Sequence, residues 1–170
     1  MDDNQNIETI ISNEINSLDS RKFLLAFSGG VDSIVLLDLL TNLVKESDQL
    51  RVIHINHNLN EYSDDWAQFS SEVCENYDLP LINASVKPKR QGKGLEADAR
   101  ALRYQSFREI IQDNEYLLTG HHQDDQMETL LYRIFRGTGI DGLRAIRKET
   151  KFSKGFLYRP MLNVSREKIE

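Results

Sequence analysis

Ser28-Gly29-Gly30-Val31-Asp32-Ser33 places two glycines, two hydroxyls and a carboxylate in six positions, between an apolar run and a helical pattern. Glycines let a backbone turn tightly and present its N–H groups, and a helix N-terminus adds partial positive charge. Such a loop suits a phosphate, with Ser28 and Ser33 as further donors. Asp32 would repel a bare phosphate, so its position makes sense if magnesium lies between the two. The run is neither a Walker A loop, lacking Gly-Lys-Ser/Thr, nor Gly-x-Gly-x-x-Gly. The competing reading is a plain glycine turn in which Asp32 and Ser33 cap a helix.

A second concentration is Thr119-Gly120-His121-His122-Gln123-Asp124-Asp125-Gln126-Met127-Glu128-Thr129. Asp125 and Glu128 are three apart, and on a helix they share a face. They could stabilise the first turn of a helix, or hold a cationic amine beside a reaction centre. Two histidines and three acids in eight residues favour the second use. Glu96, Arg100 and Arg103 share another helical face. Glu96 and Arg100 could form an exposed ion pair, or the arginines could reach ligand phosphates or a polynucleotide. His54 and His57, three apart and without a cysteine nearby, read first as structural histidines. Cys74, mid-helix and alone, reads as a small buried apolar residue.

These groups need a scaffold. Short apolar runs at Phe23–Phe27, Arg51–Ile55, Leu79–Asn83, Tyr116–Thr119 and Phe156–Pro160 predict about five strands. Helical spacing predicts helices over Ile34–Val44, Tyr62–Tyr77, Leu95–Ile111 and Gln123–Phe135. The apolar stripe of the second helix is Trp66, Phe69, Val73 and Tyr77. That of the last helix is Met127, Leu130, Leu131, Ile134 and Phe135, expected to face the core. Alternating strands and helices with near-continuous apolar strands imply an α/β three-layer, Rossmann-like sandwich around a mainly parallel sheet. Ligands of such sheets sit beyond the carboxyl ends of the strands, near a switch point, which is where both concentrations fall. Lys87–Gly94 and Arg136–Ser153 read as irregular.

With 170 residues, 39% hydrophobic and 28% charged, the chain fits one domain with a real core. No apolar stretch is long enough for a membrane span, and the acidic start lacks a signal-peptide pattern. A single cysteine excludes a disulfide framework and suggests a reducing compartment, so the expected location is the cytoplasm. The net charge of −6 hides an asymmetry: residues 1–50 carry nine acids and three bases, residues 133–170 ten bases and four acids. The basic stretch of Arg133, Arg136, Arg144, Arg147, Lys148, Lys151 and Lys154 is either a solvated face or a surface for phosphates.

Ser-Gly-Gly-Val-Asp-Ser resembles the pyrophosphate loop of the N-type ATP pyrophosphatases. With His-Ile-Asn-His-x-Leu (54–59), Glu-Ala-x-Ala-Arg-x-x-Arg-Tyr (96–104), His-His-x-Asp-Asp-Gln-x-Glu-Thr (121–129), Arg-Gly-Thr-Gly-Ile-x-Gly-Leu (136–143) and Arg159-Pro160-Met161-Leu162, the chain resembles the tRNA(Ile)-lysidine synthetases from Phe23 to about Leu162. Asn58 stands where that family usually carries glycine. The resemblance implies an adenine nucleotide alpha hydrolase-like fold and a two-step reaction. ATP with Mg2+ activates O2 of the wobble cytidine of tRNA(Ile), and free lysine then attacks C2, giving lysidine, AMP and pyrophosphate. It implies ATP at Ser28, Gly29, Gly30, Val31, Asp32 and Ser33, with Asp32 also the magnesium ligand. It implies Asp125, Glu128, Arg100, Arg103 and His121 against the other substrates, and Asp32, Asp125, Glu128 and Arg103 as the catalytic set. It also implies that residues 1–170 are a catalytic-domain fragment lacking C-terminal tRNA-binding domains; a homodimer is left open. The rival readings are a tRNA thiolase, an amide synthetase of the same superfamily, and a nucleotide-binding module without catalysis. A thiolase would be expected to show paired cysteines, and a mere binder would not need the acid pair.

Overall fold

The structure, a computed structural model, describes residues 5–44, 49–58, 61–88, 94–137 and 146–170. Its centre is a six-stranded sheet formed by β1 (Phe23–Ala26), β2 (Leu50–Asn56), β3 (Leu81–Ser85), β4 (Tyr116–Leu118), β5 (Glu149–Phe152) and β6 (Gly155–Tyr158). The strand order is β3-β2-β1-β4-β6-β5. β1 pairs in parallel with β2 and β4, β2 with β3 and β4 with β6, while β5 runs antiparallel to β6. The helices are α1 (Ile7–Asn16), α2 (Val31–Leu43), α3 (Ser63–Asn76), α4 (Leu95–Ile110) and α5 (Gln123–Phe135).

Strand alternation divides the core into two layers. Phe23, Leu25 and Phe27 pack with α1, α2 and α3 through Ile11, Ile15, Leu36, Leu37, Leu40 and Cys74. Leu24 faces the other way, toward α4 and Phe107, with Ile53, Leu117 and Leu157. Leu36, Leu37 and Leu40 are wholly buried, and each such leucine contributes about 1.5–3 kcal/mol. Cys74 is buried as expected, and burial pushes its thiol up to about 11, so it stays an inert thiol. At the amino ends of the strands, Glu115 is 1% exposed and accepts from Arg51 Nε (3.0 Å), an Arg51 terminal nitrogen (2.8 Å) and the Gln112 amide (2.8 Å).

Three expectations need correction. Arg136–Ser153 is not wholly irregular: Glu149–Phe152 forms β5, a sixth strand, with three exposed residues and only Phe152 buried. An edge strand buries little, so its sequence carries no apolar run. Helix α1 adds to the expected elements; its Ile7, Ile10, Ile11 and Ile15 have helical spacing and pack against the core. The stripe on α5 does not face the core: α5 has no buried residue, and Met127, Leu131, Ile134 and Phe135 are 62%, 48%, 50% and 85% exposed. The period of 3.6 identifies an apolar face but not what meets it. Among the described residues, no helix is long and apolar enough to cross a membrane.

Candidate active site

The switch in strand order falls between β1 and β4, and a cavity of about 440 Å3 opens there. Its lining includes Ser28, Asp32, Ser33, Arg103, His121 and Asp125, each expected from the sequence. Gly29, Gly30 and Val31 shape the loop beside it. Gly29 has φ +82°, and a Cβ there would lie 2.9 Å from the Trp66 ring. Glycine is therefore required both by backbone conformation and by the close approach of α3. Gly30 is the N-cap of α2, and its carbonyl accepts from the Ser33 and Ile34 amides. Ser28 Oγ and Ser33 Oγ are 3.1 Å apart, and Ser33 Oγ donates to the Gly30 carbonyl at 2.8 Å. These bonds set the hydroxyls beside the first helical amides, which lack carbonyl partners within the helix.

The other wall comes from the turn after β4. Gly120 packs against Asp32: a Cβ at 120 would lie 3.3 Å from the Asp32 carbonyl oxygen. His121 Nδ1 and Thr119 Oγ1 are 2.8 Å apart. His122 begins α5 as its N-cap; its amide donates to Asp125 Oδ2 at 2.8 Å, and its Nδ1 accepts from the Asp124 amide at 3.3 Å. An accepting Nδ1 leaves the proton on Nε2 in the neutral ring. That nitrogen lies 3.7 Å from Asp32 Oδ2 and 3.8 Å from Asp125 Oδ2. His122 Nε2 therefore lies between the two acids, beyond hydrogen-bond distance of either, a position that its sequence context does not assign. Asp125 is both a helix cap and a lining residue, so the capping and functional readings are compatible.

A second cavity, about 590 Å3, lies on the far side of His121 and Asp125, which line both. Arg100, Glu128, Thr129, Arg133, Arg147 and Arg159 also border it. The structure thus separates residues grouped in the sequence: Arg103 faces the first cavity, Arg100 and Glu128 the second. Arg100 stacks on Tyr104 at 5.2 Å rather than pairing with Glu96. Arg159, buried at 8% exposure, joins the site without having been expected there. Arg144 lies outside the described residues. Lys148 is not a free cation for a partner: its ammonium meets Glu14 Oε1 at 2.6 Å, and Glu14 also accepts from the Tyr158 hydroxyl.

His54 is structural, as expected: it is 5% exposed with Nδ1 3.0 Å from the Phe27 carbonyl. Burial lowers its pKa despite that bond. His57 also lines the first cavity; burial, then Arg103 and His54, hold it low and neutral. Asn58 adopts φ 50°, and its side chain donates to Ser85 Oγ at 2.7 Å and to the Val86 carbonyl at 3.1 Å. Asparagine tolerates the left-handed region better than most residues, which explains its place where the resembled family carries glycine.

Burial, with Arg159 next in effect, pushes His121 from 6.5 down to about 4. Below pH 6.5 the unfolded chain gains a proton that the folded chain refuses until about pH 4. Stability should therefore fall as pH drops across that window, with His54 and His57 acting in the same direction. Urea unfolding at pH 7, 6 and 5 measures this, and His121→Gln should make the loss shallower.

Residues 3–170 match the family model described as the PP-loop domain. The chain is 47% identical over 150 residues to a tRNA(Ile)-lysidine synthase of Actinobacillus pleuropneumoniae serotype 3 (strain JL03), covering 88% of this chain and 35% of that protein. It is 41% identical over 165 residues to one from Histophilus somni (strain 129Pt), covering 94% and 38%. The chain thus spans little more than a third of the length of these curated relatives. Among solved structures it resembles a U34-tRNA thiolase of Methanococcus maripaludis (TM-score 0.70, 19% identity, 96% of this chain and 60% of that one). It also resembles an NH3-dependent NAD synthetase of Campylobacter jejuni (TM-score 0.55, 14% identity, 96% and 67%). At these identities the structures speak for the fold alone.

Proposed function

The chain belongs to the PP-loop domain family, and from this premise we propose that it ligates free lysine to C2 of the wobble cytidine of tRNA(Ile), using ATP. The observation that carries this reading is the pair of cavities meeting at Asp125 and His121: one has an anion-binding loop, the other a carboxylate pair. Relatives named tRNA(Ile)-lysidine synthase support the same substrates. A tRNA substrate in turn supports a cytoplasmic location.

In this mechanism the first cavity takes ATP. Ile53, Ile55 and Phe107 offer an apolar surface for the base, and the Ser28–Ser33 loop cradles the phosphates. Among the described residues no three metal-type ligands cluster. Asp32 at the anion loop nevertheless fits magnesium, which commonly takes one carboxylate plus substrate phosphates. When bound there, the ion would neutralise charge on the departing pyrophosphate. O2 of the cytidine attacks the α-phosphorus and pyrophosphate leaves; the α2 amides and Arg103 offset the charge that develops. Asp125 and Glu128 hold the lysine ammonium. The ε-amine, after losing a proton, attacks C2, and AMP departs with the former O2. Asp125, beside the reaction centre, is placed to take the proton lost by the amine. His121 stays neutral throughout the working range and so does not repel that amine. Holding three substrates at one junction supplies much of the acceleration.

The test is incubation of this chain with ATP, magnesium, labelled lysine and bulk tRNA. Label entering tRNA with pyrophosphate release is the expected result; pyrophosphate release without label would point to another ATP pyrophosphatase. Asp125→Asn and Glu128→Gln should each raise the KM for lysine about tenfold or more while ATP affinity stays close to wild type. Their combination need not equal the sum. Unchanged lysine dependence in both would return the acids to helix capping.

Arg136, Lys151 and Lys154 are exposed cations that could meet phosphates, Arg136 lying over the Tyr132 ring and Lys151 over that of Phe156. Replacing them together by alanine should flatten the log–log salt dependence of tRNA binding by ~0.7–0.9 for each phosphate no longer neutralised. A tRNA titration at several salt concentrations checks this.

A further inference from the structure

Three guanidinium groups of the two cavities meet at one ring. Tyr104 follows Arg100 by one turn of α4 and Arg103 by one residue. The guanidinium carbons of Arg100 and Arg103 lie 5.2 and 5.9 Å from the centre of the Tyr104 ring. Arg159 arrives after β6 and makes a side-chain hydrogen bond to Tyr104; a guanidinium only donates, so the phenol oxygen accepts. Tyr104 and Arg103 line the first cavity, while Arg100 and Arg159 border the second. The cations oppose one another. Burial lowers the pKa of Arg103 and of Arg159 and Arg100 adds to the effect, while Tyr104 works against it at both. A guanidinium is drawn to an electron-rich ring, and this ring is anchored. It meets the buried Phe107 and Phe152 edge-on, at 5.9 and 6.0 Å between centres.

We propose that Tyr104 is a positioning residue for pyrophosphate release, holding Arg103 at the first cavity against the repulsion of its fellow arginines. This rests on the reading of the first cavity as the ATP site. A cation that offsets charge developing on departing pyrophosphate is effective only if it stands in place before the reaction. The ring supports Arg100 and Arg103, and the hydroxyl serves Arg159. The two parts of the side chain therefore have separable consequences: removing the hydroxyl spares Arg103, and removing the ring releases it.

The test is single-turnover pyrophosphate release from labelled ATP with magnesium and bulk tRNA. Tyr104→Phe should stay within about threefold of wild type. Tyr104→Leu should slow release about 10–30-fold while the KM for ATP changes less than threefold, because support lost in the transition state appears in kcat. The same leucine substitution is then made in Arg103→Gln. Loss of Arg103 itself costs about 100–1000-fold, which labelled ATP still resolves, and Tyr104→Leu should cost less than twofold more in that background. An equal loss in both backgrounds would show that Tyr104 acts by packing against Phe107 and Phe152, and would overturn the assignment. So would a phenylalanine variant as slow as the leucine one, or a folded leucine variant as fast as wild type. Tyr104→Met, also without a ring, carries the comparison if the leucine variant does not fold. Absence of release by the wild type would overturn the ATP reading itself, and this assignment with it, before any variant is compared.

Discussion

Asp32→Asn should lower kcat/KM for pyrophosphate release about 100–1000-fold while the protein remains folded. The carboxylate stands in the first turn of α2 at the Ser28–Ser33 loop, 41% exposed at its side chain, and 3.7 Å from His122 Nε2. No packing depends on its charge, so the melting temperature should move little. Removing one group aimed at developing charge typically costs a factor of this size. Asparagine keeps shape and loses the charge that a magnesium–phosphate complex requires. Pyrophosphate release measured alongside thermal unfolding separates the two effects. Near-wild-type turnover in the folded variant would remove Asp32 from the chemistry.

The largest effect on stability should come from Glu115→Ala. Glu115 is almost wholly enclosed and is the shared acceptor for Arg51 and the Gln112 amide. Removing it leaves the guanidinium without its counter-charge and with only the Ile110 carbonyl to accept from it, at a cost of about 3–5 kcal/mol. For a chain of this length that is a fall in Tm of roughly 6–20 °C. The pair lies at the amino ends of the strands and the Ser28–Ser33 loop at their carboxyl ends. ATP affinity of the remaining folded protein should therefore be close to wild type, as a titration below the lowered Tm would show. Glu115→Gln, which can still accept from both partners, should lose less.

The strands with continuous apolar runs are legible because both faces of β1, β2 and β4 are covered. The loop at Ser28–Ser33 is legible because glycine, hydroxyl and carboxylate occur there together with a helix following. What escapes the sequence has a common physical cause: it depends on what an element or side chain meets, which local spacing does not state. β5 is a strand only because β6 lies beside it, and its exposed residues carry no apolar signature. The α5 face misleads because amphipathic spacing is the same whether a face meets a core or solvent. His122 looks like one more polar residue in a dense segment; its position between Asp32 and Asp125 comes from the approach of Gly120 to α2. Arg159 is visible in its motif, but nothing in the motif says that it is buried. A signal is present for α1, whose isoleucines repeat at helical spacing.

The strand order has a consequence for how the molecule assembles. β1 has β2 on one side and β4 on the other, yet β2, α3, β3 and α4 all intervene in the chain before β4 arrives. The half-sheet β1-β2-β3 can close early through short crossovers, and it holds the Ser28–Ser33 loop with Ile53, Ile55 and His57 but not the wall that follows β4. His121, His122 and Asp125 join it after a much longer loop has closed, at a greater entropic cost. Nucleotide binding should consequently appear late in refolding, after most helical signal has returned. ATP should slow hydrogen exchange at the β1–β4 seam more than at the β2–β3 seam, so that the ligand acts as a clasp between the early and late halves of the sheet.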